Sequence, residues 1–483
     1  MLSKLSRRSF LQSAAAGAVV ASSRAWAQGQ RPVILYVGCY TTRGQGIYRY
    51  SMNPATGELA LLGVTGDQLN PSFLAIDPQQ RYLYAANEIG NYEGRQSGSV
   101  SAFAIEPDGS LRFLNRQPTE GRNPAHVSVD PTGRYVMAAN YSGTTTNEGN
   151  MAVIPIQRNG SLSAPSQVVI HRGTLGPNQT APHAHMVLSD FSGRYVLAND
   201  LGLDKTFIYR LDGTTGTLNP SDPDGLSAPS GAGPRHLAFH PNGRFVFILH
   251  ELNSTLRSLS WDSERGLMQQ IQTISTLPPN FVGINSTAHV VVAPSGRFVY
   301  TSNRGHDSIA IFSVNPETGM LEFIDRVWTY GETPRNFAID PTGNFMYVGH
   351  QNTDNIVVFR VSQTSGRLTP TGLFYGAGQP VCFLFLPPPQ SGNMAQEGVT
   401  FSASPNPIMI NDSSGYGHTT LSWNAPDVAA PEIRINSATG PSMGTQLSAG
   451  STTTGKWVHD GMMFYLQNGS TTLATVRAVV RQA

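Results

Sequence analysis

The stretch from Asn70 to Glu88, NPSFLAIDPQQRYLYAANE, decides the architecture. It reads as an apolar strand, an Asp-Pro turn and a second strand that ends on Ala-Ala-Asn-Glu. Units of this kind, most with Asp-Pro-x-Gly or a close variant at the turn, return at Asn123 to Tyr141, Pro182 to Asp200, Pro234 to Glu251, Thr287 to Arg304 and Pro334 to Gln351, six copies in all. A second turn, x-Gly-x-Leu, recurs seven times, at Gly57, Gly109, Gly160, Gly216, Gly266, Gly319 and Gly366. Six intervals between the first and last of these give a mean period of about 51.5 residues, the size of one four-stranded propeller blade. The mismatch between six and seven is informative. The last unit begins at Gln379-Pro380 with VCFLFLP and runs into Pro387-Pro388-Pro389 without a second strand. The missing strand is Val33 to Tyr40, VILYVGCY, at the other end of the chain. A blade completed by both ends closes a ring and removes its free sheet edges. The expected fold is all-β, a seven-bladed β-propeller over residues 31–389 closed by both termini of the ring.

The remaining chain agrees with this reading. Of 483 residues 13% are charged, with 49 Gly and 33 Pro, a composition too poor in helix-forming charged faces for a helical bundle. The net charge of +1, without a basic stripe, argues against nucleic acid as a partner. Two cysteines exclude a disulfide scaffold and a Cys-built zinc site. Cys39 and Cys382 both fall in the composite blade. The repeat alignment, with Phe73 facing about residue 85, places them diagonally, so two free thiols are expected. After the proline run the composition shifts to Ser, Thr, Gly and Asn, and short alternating strands suggest a small immunoglobulin-like β-sandwich over 398–483. Burial in the sandwich is the simpler reading for Trp423 and Trp457, against a sugar-stacking platform. The domain's role is not legible, and a surface or glycan contact through it stays open.

Residues 1–27 read as an export signal. Lys4, Arg7 and Arg8 precede the weakly apolar run Phe10 to Ala21, and Ala25-Trp26-Ala27 forms a small-x-small cleavage site. Ser6-Arg7-Arg8-Ser9-Phe10-Leu11 resembles a twin-arginine signal, against the plainer reading of an ordinary basic leader. Its removal takes away four positive and no negative residues, leaving −3. No later run has the roughly 18 apolar residues of a transmembrane helix, so a periplasmic or secreted protein is expected.

Strand direction locates the chemistry. Residues entering each first strand and leaving each second strand meet at the end opposite the Asp-Pro turns, beside the central channel. Asn87, Asn140, Asn199 and Asn303 repeat at the leaving position and read as backbone hydrogen bonders. Arg235, Glu251 and Arg304 break the repeat and are the better functional candidates. His183, His185, His236, His289, Arg335, Asn336 and Gln351 lie at the same end. Converging guanidinium groups suit a small anionic or polyhydroxylated ligand, and a neighbouring histidine or glutamate adds acid/base capacity. A metal site built on His183-x-His185 and His236 is disfavoured because few carboxylates accompany them; neither a metal nor a cofactor is expected.

Pro182-His183-Ala184-His185, Gly233-Pro234-Arg235-His236, the run His250 to Thr255, the run Ser302 to Ile309 and Asn355 to Phe359 resemble the signatures of the lactonase-type seven-bladed propellers. That family includes bacterial 6-phosphogluconolactonase and fungal carboxy-cis,cis-muconate cyclase. The resemblance implies a metal-independent lactone-handling site, with His183 or His185, Arg235, Glu251 and Arg304 at the family's proposed active-site positions; His236, His289, Arg335, Asn336 and Gln351, placed at the same channel end, are expected to contact substrate. On this reading the chain is an exported hydrolase of a sugar-acid or related anionic lactone. Glu251 or a histidine activates water while Arg304 and Arg235 hold the anion and the developing oxyanion. The alternatives are a non-catalytic propeller that binds an anionic or carbohydrate ligand, and a lactone-forming cycloisomerase. The export signal and the C-terminal sandwich depart from the basic family pattern.

Overall fold

Val33–Cys39 and Pro380–Leu386 pair antiparallel, with Ile34 opposite Leu386 and Gly38 opposite Cys382, so the two ends of the ring share one blade. The structure is a computed structural model and describes residues 33–144, 150–386, 398–411, 415–436, 438, 440–459, 461–469 and 471–482. The expected export signal and the proline run lie outside the described residues. Blade 1 is ordered Pro380–Leu386, Val33–Cys39, Ile47–Met52, Leu59–Thr65. Six further four-stranded antiparallel sheets follow, beginning at Pro71–Ile76, Arg122–Val129, Ala184–Ser189, Pro234–Phe239, Ser286–Val292 and Pro334–Ile339. We call the strands of each blade A to D from the first of these outward. Each A strand touches the A strands of both neighbouring blades, which closes seven blades around a channel.

The x-Gly-x-Leu turns repeat for a reason visible in space. Each joins strands C and D, takes a left-handed backbone with φ between 69° and 83°, and packs on the residue that opens strand B of the preceding blade. Gly57 meets Phe345, Gly160 meets Tyr82, Gly216 meets Tyr135, Gly266 meets Tyr195 and Gly319 meets Phe245. A Cβ on Gly266 would stand 2.2 Å from the Tyr195 ring. Both the backbone angle and the space therefore demand glycine. Gly266→Ala is expected to cost about 2–4 kcal/mol, combining left-handed strain with overpacking, read as a lower urea midpoint at unchanged m-value.

Three of the four leaving asparagines bond to backbone as expected: Asn87 Nδ2 donates to Leu69 O at 3.2 Å, Asn140 Nδ2 to Thr119 O at 3.1 Å and Asn303 Nδ2 to Thr276 O at 3.3 Å, whereas Asn199 accepts from the Thr206 hydroxyl at 2.7 Å and its Nδ2 has no partner among the described residues. A second set of ties was not foreseen. Asp204, Asp307 and Asp354 sit in B–C turns with φ near 50°. Each accepts from backbone N–H groups leading into the next blade: Gly231 and Gly233 for Asp204, Thr333 for Asp307, Gln379 for Asp354.

Every A strand is bulged where it enters the sheet, or opposite that point in blade 1. The register slips between Pro71 and Phe73, Pro124 and His126, Ala184 and Met186, Pro234 and His236, Thr287 and Val290, and Pro334 and Asn336. A bulge leaves one residue unpaired and re-aims it, and here the bulged residues include His185, Arg235 and Arg335. The same slip moves Phe73 opposite Ala86 instead of residue 85. In blade 1 it sets Cys382 against Gly38, so the cysteines occupy opposite faces of the sheet. Cys39 packs with Phe345 and Tyr347, Cys382 with Leu74 and Leu83. Both are buried free thiols, separated more thoroughly than a diagonal placement implies.

The C-terminal strands form a three-stranded sheet from Thr400–Ser404, Thr420–Asn424 and Ala449–Thr453, and a four-stranded sheet from Ser442–Thr445, Glu432–Ile435, Met463–Asn468 and Thr471–Arg477. They enclose a core of Leu421, Trp423, Ile433, Phe464 and Leu466, a β-sandwich as the sequence suggested. Trp423 is buried and donates Nε1–H to Leu447 O at 2.8 Å, while Trp457 is half-buried against the core. The sandwich bonds to the A–B turns: Arg434 Nη1 donates to Pro294 O at 2.8 Å and Ser442 N to Pro241 O at 3.0 Å. It therefore packs on the Asp-Pro turn end of the ring, opposite the end where the B strands leave.

Candidate active site

At the open mouth, Glu251 is clasped by two arginines. Arg235 extends from the bulge that opens strand A of blade 5, Glu251 leaves strand B of the same blade, and Arg304 leaves strand B of blade 6 (Phe298–Arg304). Arg235 Nε lies 2.7 Å from Glu251 Oε2 and Arg304 Nη2 lies 2.9 Å from Oε1. Both carboxylate oxygens are occupied. Burial would raise the Glu251 carboxyl, but Arg304 and Arg235 outweigh it and hold it below the usual carboxylate range. Arg235 is 1% exposed. Burial, then repulsion from Arg304, brings its guanidinium down to about 9, still charged at neutral pH.

The floor beneath Arg235 is a cluster of neutral imidazoles. Arg235 can only donate, so the 3.1 Å contact from its Nη1 makes His236 Nε2 an acceptor. His236 Nδ1 then carries the proton and donates to His289 Nδ1 at 2.8 Å. His185 and His126 pack against the His236 ring at 5.3 and 5.9 Å. Burial first, then Arg235 and neighbouring histidines, pushes His126 and His289 down to about 3, and His185 and His236 lie well below the usual histidine value.

These depressed values set a pH dependence. Between about pH 6.5 and 3 the unfolded chain binds more protons than the folded one, so stability is fully present above 6.5 and is lost as pH falls toward 3. Each such histidine contributes a slope of up to about 1.4 kcal/mol per pH unit. Urea unfolding between pH 7 and 4.5 should show this decline, and His126→Gln should flatten it. A parallel slope in the variant would refute the neutral assignment of His126.

The opposite rim carries a second carboxylate. Glu88 accepts from Tyr40 Oη at 2.9 Å and faces Arg335 Nη2 at 4.0 Å, and Arg335 lies 5.4 Å over the Tyr40 ring. Three guanidiniums against two carboxylates leave the mouth one positive charge in excess. Arg304 Nη2 also donates to Thr287 O at 2.7 Å, and its Nε is buried with no partner among the described residues. That orphan donor, next to a cationic cluster, is a ready partner for a carbonyl oxygen that gains charge.

His183 differs from the buried histidines. It is half-buried and stacks on Tyr141 at 4.4 Å and 12°. Its Nδ1 donates to Tyr141 O at 2.7 Å, and its Nε2 has no hydrogen-bond partner among the described residues. Tyr141 meets His185 edge-on at 5.6 Å, so His183 and the arginine cluster share one wall. The remaining sequence candidates are placed differently. Asn336 is buried and accepts from Phe383 N at 3.1 Å, tying blade 7 to blade 1. Gln351 contributes its backbone carbonyl to Arg43 at 2.8 Å. Tyr40 was missed, although VILYVGCY aligned on RYLYAANE puts it at the leaving position of Glu88 and Glu251. Among the described residues no three His, Cys, Asp or Glu side chains gather as a metal-ligand group.

Residues 34–385 match the model of the family described as Lactonase, 7-bladed beta-propeller. The chain is 37% identical over 355 residues to a 6-phosphogluconolactonase of Bacillus subtilis (strain 168), covering 73% of this chain and 97% of that protein. It is 31% identical over 316 residues to a 6-phosphogluconolactonase of Formosa agariphila, covering 63% of this chain and 86% of that protein. The solved structure of PpgL, a periplasmic gluconolactonase of Pseudomonas aeruginosa, superposes with a TM-score of 0.70 at 34% identity over 74% of this chain and all of that one. On the closed ring, the mouth cluster and these matches together, the chain belongs to the seven-bladed β-propeller lactonase family.

Proposed function

We propose that the protein hydrolyses an anionic sugar-acid lactone, of the 6-phosphogluconolactone kind, at the open mouth of the ring. The observation that carries this reading is the contrast between Glu251, whose two oxygens are held by Arg235 and Arg304, and His183, whose Nε2 has no partner among the described residues. An engaged carboxylate with a lowered proton affinity is a poor base, whereas a neutral imidazole with its other nitrogen bonded is a good one. His183 Nε2 takes a proton from water as the water oxygen attacks the lactone carbonyl. Arg304, through its unpartnered Nε–H, stabilises the tetrahedral oxyanion. Collapse breaks the ring C–O bond, and the alkoxide leaves with the proton held on His183. Glu251 keeps the two guanidiniums parallel and partly neutralised, and Arg335 with the residual positive charge attracts the anionic substituent.

The relatives' names support the substrate class, and the Ser6 to Leu11 motif together with the periplasmic PpgL supports export; fractionation of the producing cell tests the latter. Among the described residues no helix is long and apolar enough to cross a membrane. Purified mature protein should open δ-gluconolactone and its 6-phosphate above the spontaneous rate, favouring the phosphate. Binding of either without hydrolysis would instead favour the ligand-binding or lactone-forming alternatives.

A further inference from the structure

The leaving position of strand B holds Tyr40, Glu88, Tyr141, Asp200, Glu251, Arg304 and Gln351 around the ring. Asp200 differs in its use. Its side chain is 0% exposed, and Oδ2 accepts from His171 Nδ1 at 2.7 Å, also at 0% exposure. Oδ1 accepts from the backbone N–H of His183 at 2.8 Å and of Leu203 at 3.0 Å. His171 follows Gln167–Ile170, the outer strand of blade 3, and its ring stacks on Phe207 at 4.2 Å, with its Nε2 buried and without a partner among the described residues. In blades 5, 7 and 1 the lead-in segments are tied from the preceding blade, by Asp204, Asp307 and Asp354. The lead-in of blade 4 is instead held by its own strand-end carboxylate, which is anchored in turn to the outer edge of blade 3.

A buried carboxylate and imidazole are retained at a desolvation cost that only their pairing offsets, and the consequence of the pairing is a defined position for His183. We propose that Asp200 and His171 are a positioning pair that sets the His183 imidazole against Tyr141 and the channel, so that the outer strand of blade 3 determines the aim of the base. The proposal rests on the reading of His183 as the base. Asp200 holds the backbone of His183 while Tyr141 O holds its Nδ1, so ring and main chain are constrained from two sides. Reacting groups misplaced by about 1 Å lose about 10²-fold in rate.

The test uses the mature full-length protein with 6-phosphoglucono-δ-lactone, and each variant's melting temperature reports its fold. Asp200→Asn and His171→Ala should lower kcat about 10- to 100-fold with KM within about 2-fold. His171→Asn, whose amide nitrogen can take the place of Nδ1, should recover most of the rate, which a merely space-filling role would not require. In a His183→Gln background neither substitution should lower kcat further. Equal losses in that background, or parental kcat in a folded His171→Ala protein, would overturn the positioning role. If Asp200→Asn does not fold, the comparison of His171→Ala with His171→Asn carries the decision. Failure of the underlying reading is visible separately, as wild-type kcat in the single His183→Gln variant.

Discussion

His183→Gln should lower kcat on 6-phosphoglucono-δ-lactone by about 10²- to 10⁴-fold, the usual loss when a general base is removed. The glutamine amide keeps much of the volume stacked on Tyr141 and leaves the Asp200 bond to the backbone N–H intact. KM should change little, because the arginines that hold the anion are untouched. Glu251→Gln separates the two base assignments. If Glu251 were the base, its loss would abolish the acid limb of the pH–kcat profile. If it only organises Arg235 and Arg304, the limb survives in a slower enzyme. The decisive measurement is therefore a pair of pH–rate profiles. Retention of wild-type kcat in His183→Gln, together with loss of the acid limb in Glu251→Gln, would return the role to the carboxylate.

Arg304→Ala should damage both kinetic constants. Its Nε–H, buried and without a partner among the described residues, is the donor proposed for the oxyanion, and loss of one oxyanion donor costs about 10²- to 10³-fold in kcat. The same side chain contributes a charge-assisted hydrogen bond to the bound anion, worth about 1.5–3 kcal/mol, so KM should rise by about tenfold or more. Lysine keeps the charge, and its single nitrogen can stand in for the Nη2 that meets both Glu251 Oε1 and Thr287 O, but it has no counterpart of the Nε–H. Arg304→Lys should accordingly recover part of KM and little of kcat. A rise in KM alone, with kcat unchanged, would limit Arg304 to substrate binding. The fold should survive, since Arg304 enters strand pairing only through its backbone, opposite Ser286, and takes no part in the glycine turns.

How much of this was legible in the sequence depended on whether a residue acts through the repeat. Strand alternation, the two turn motifs and the split last unit are local patterns with a fixed physical meaning, so seven blades, circular closure and the location of the mouth followed without coordinates. Arg235, Glu251 and Arg304 stood out because they differ from their counterparts while the scaffold around them repeats. Three facts were decided only in space. The bulges slip the register by one residue, which re-aims His185, Arg235 and Arg335 and sets the cysteines on opposite faces; no residue type announces them, since a bulge is a property of two strands pairing. The clasping of Glu251 by arginines from two blades gives the carboxylate its low proton affinity, and that depends on distances between residues 16 and 53 positions apart in the chain. His171 lay on an outer strand with no repeat to measure it against, and only packing brought it to Asp200. Sequence determines which residues reach the mouth, because periodicity is local; tertiary structure decides which of them carries charge, donates or is held, because those depend on neighbours that the chain supplies from elsewhere.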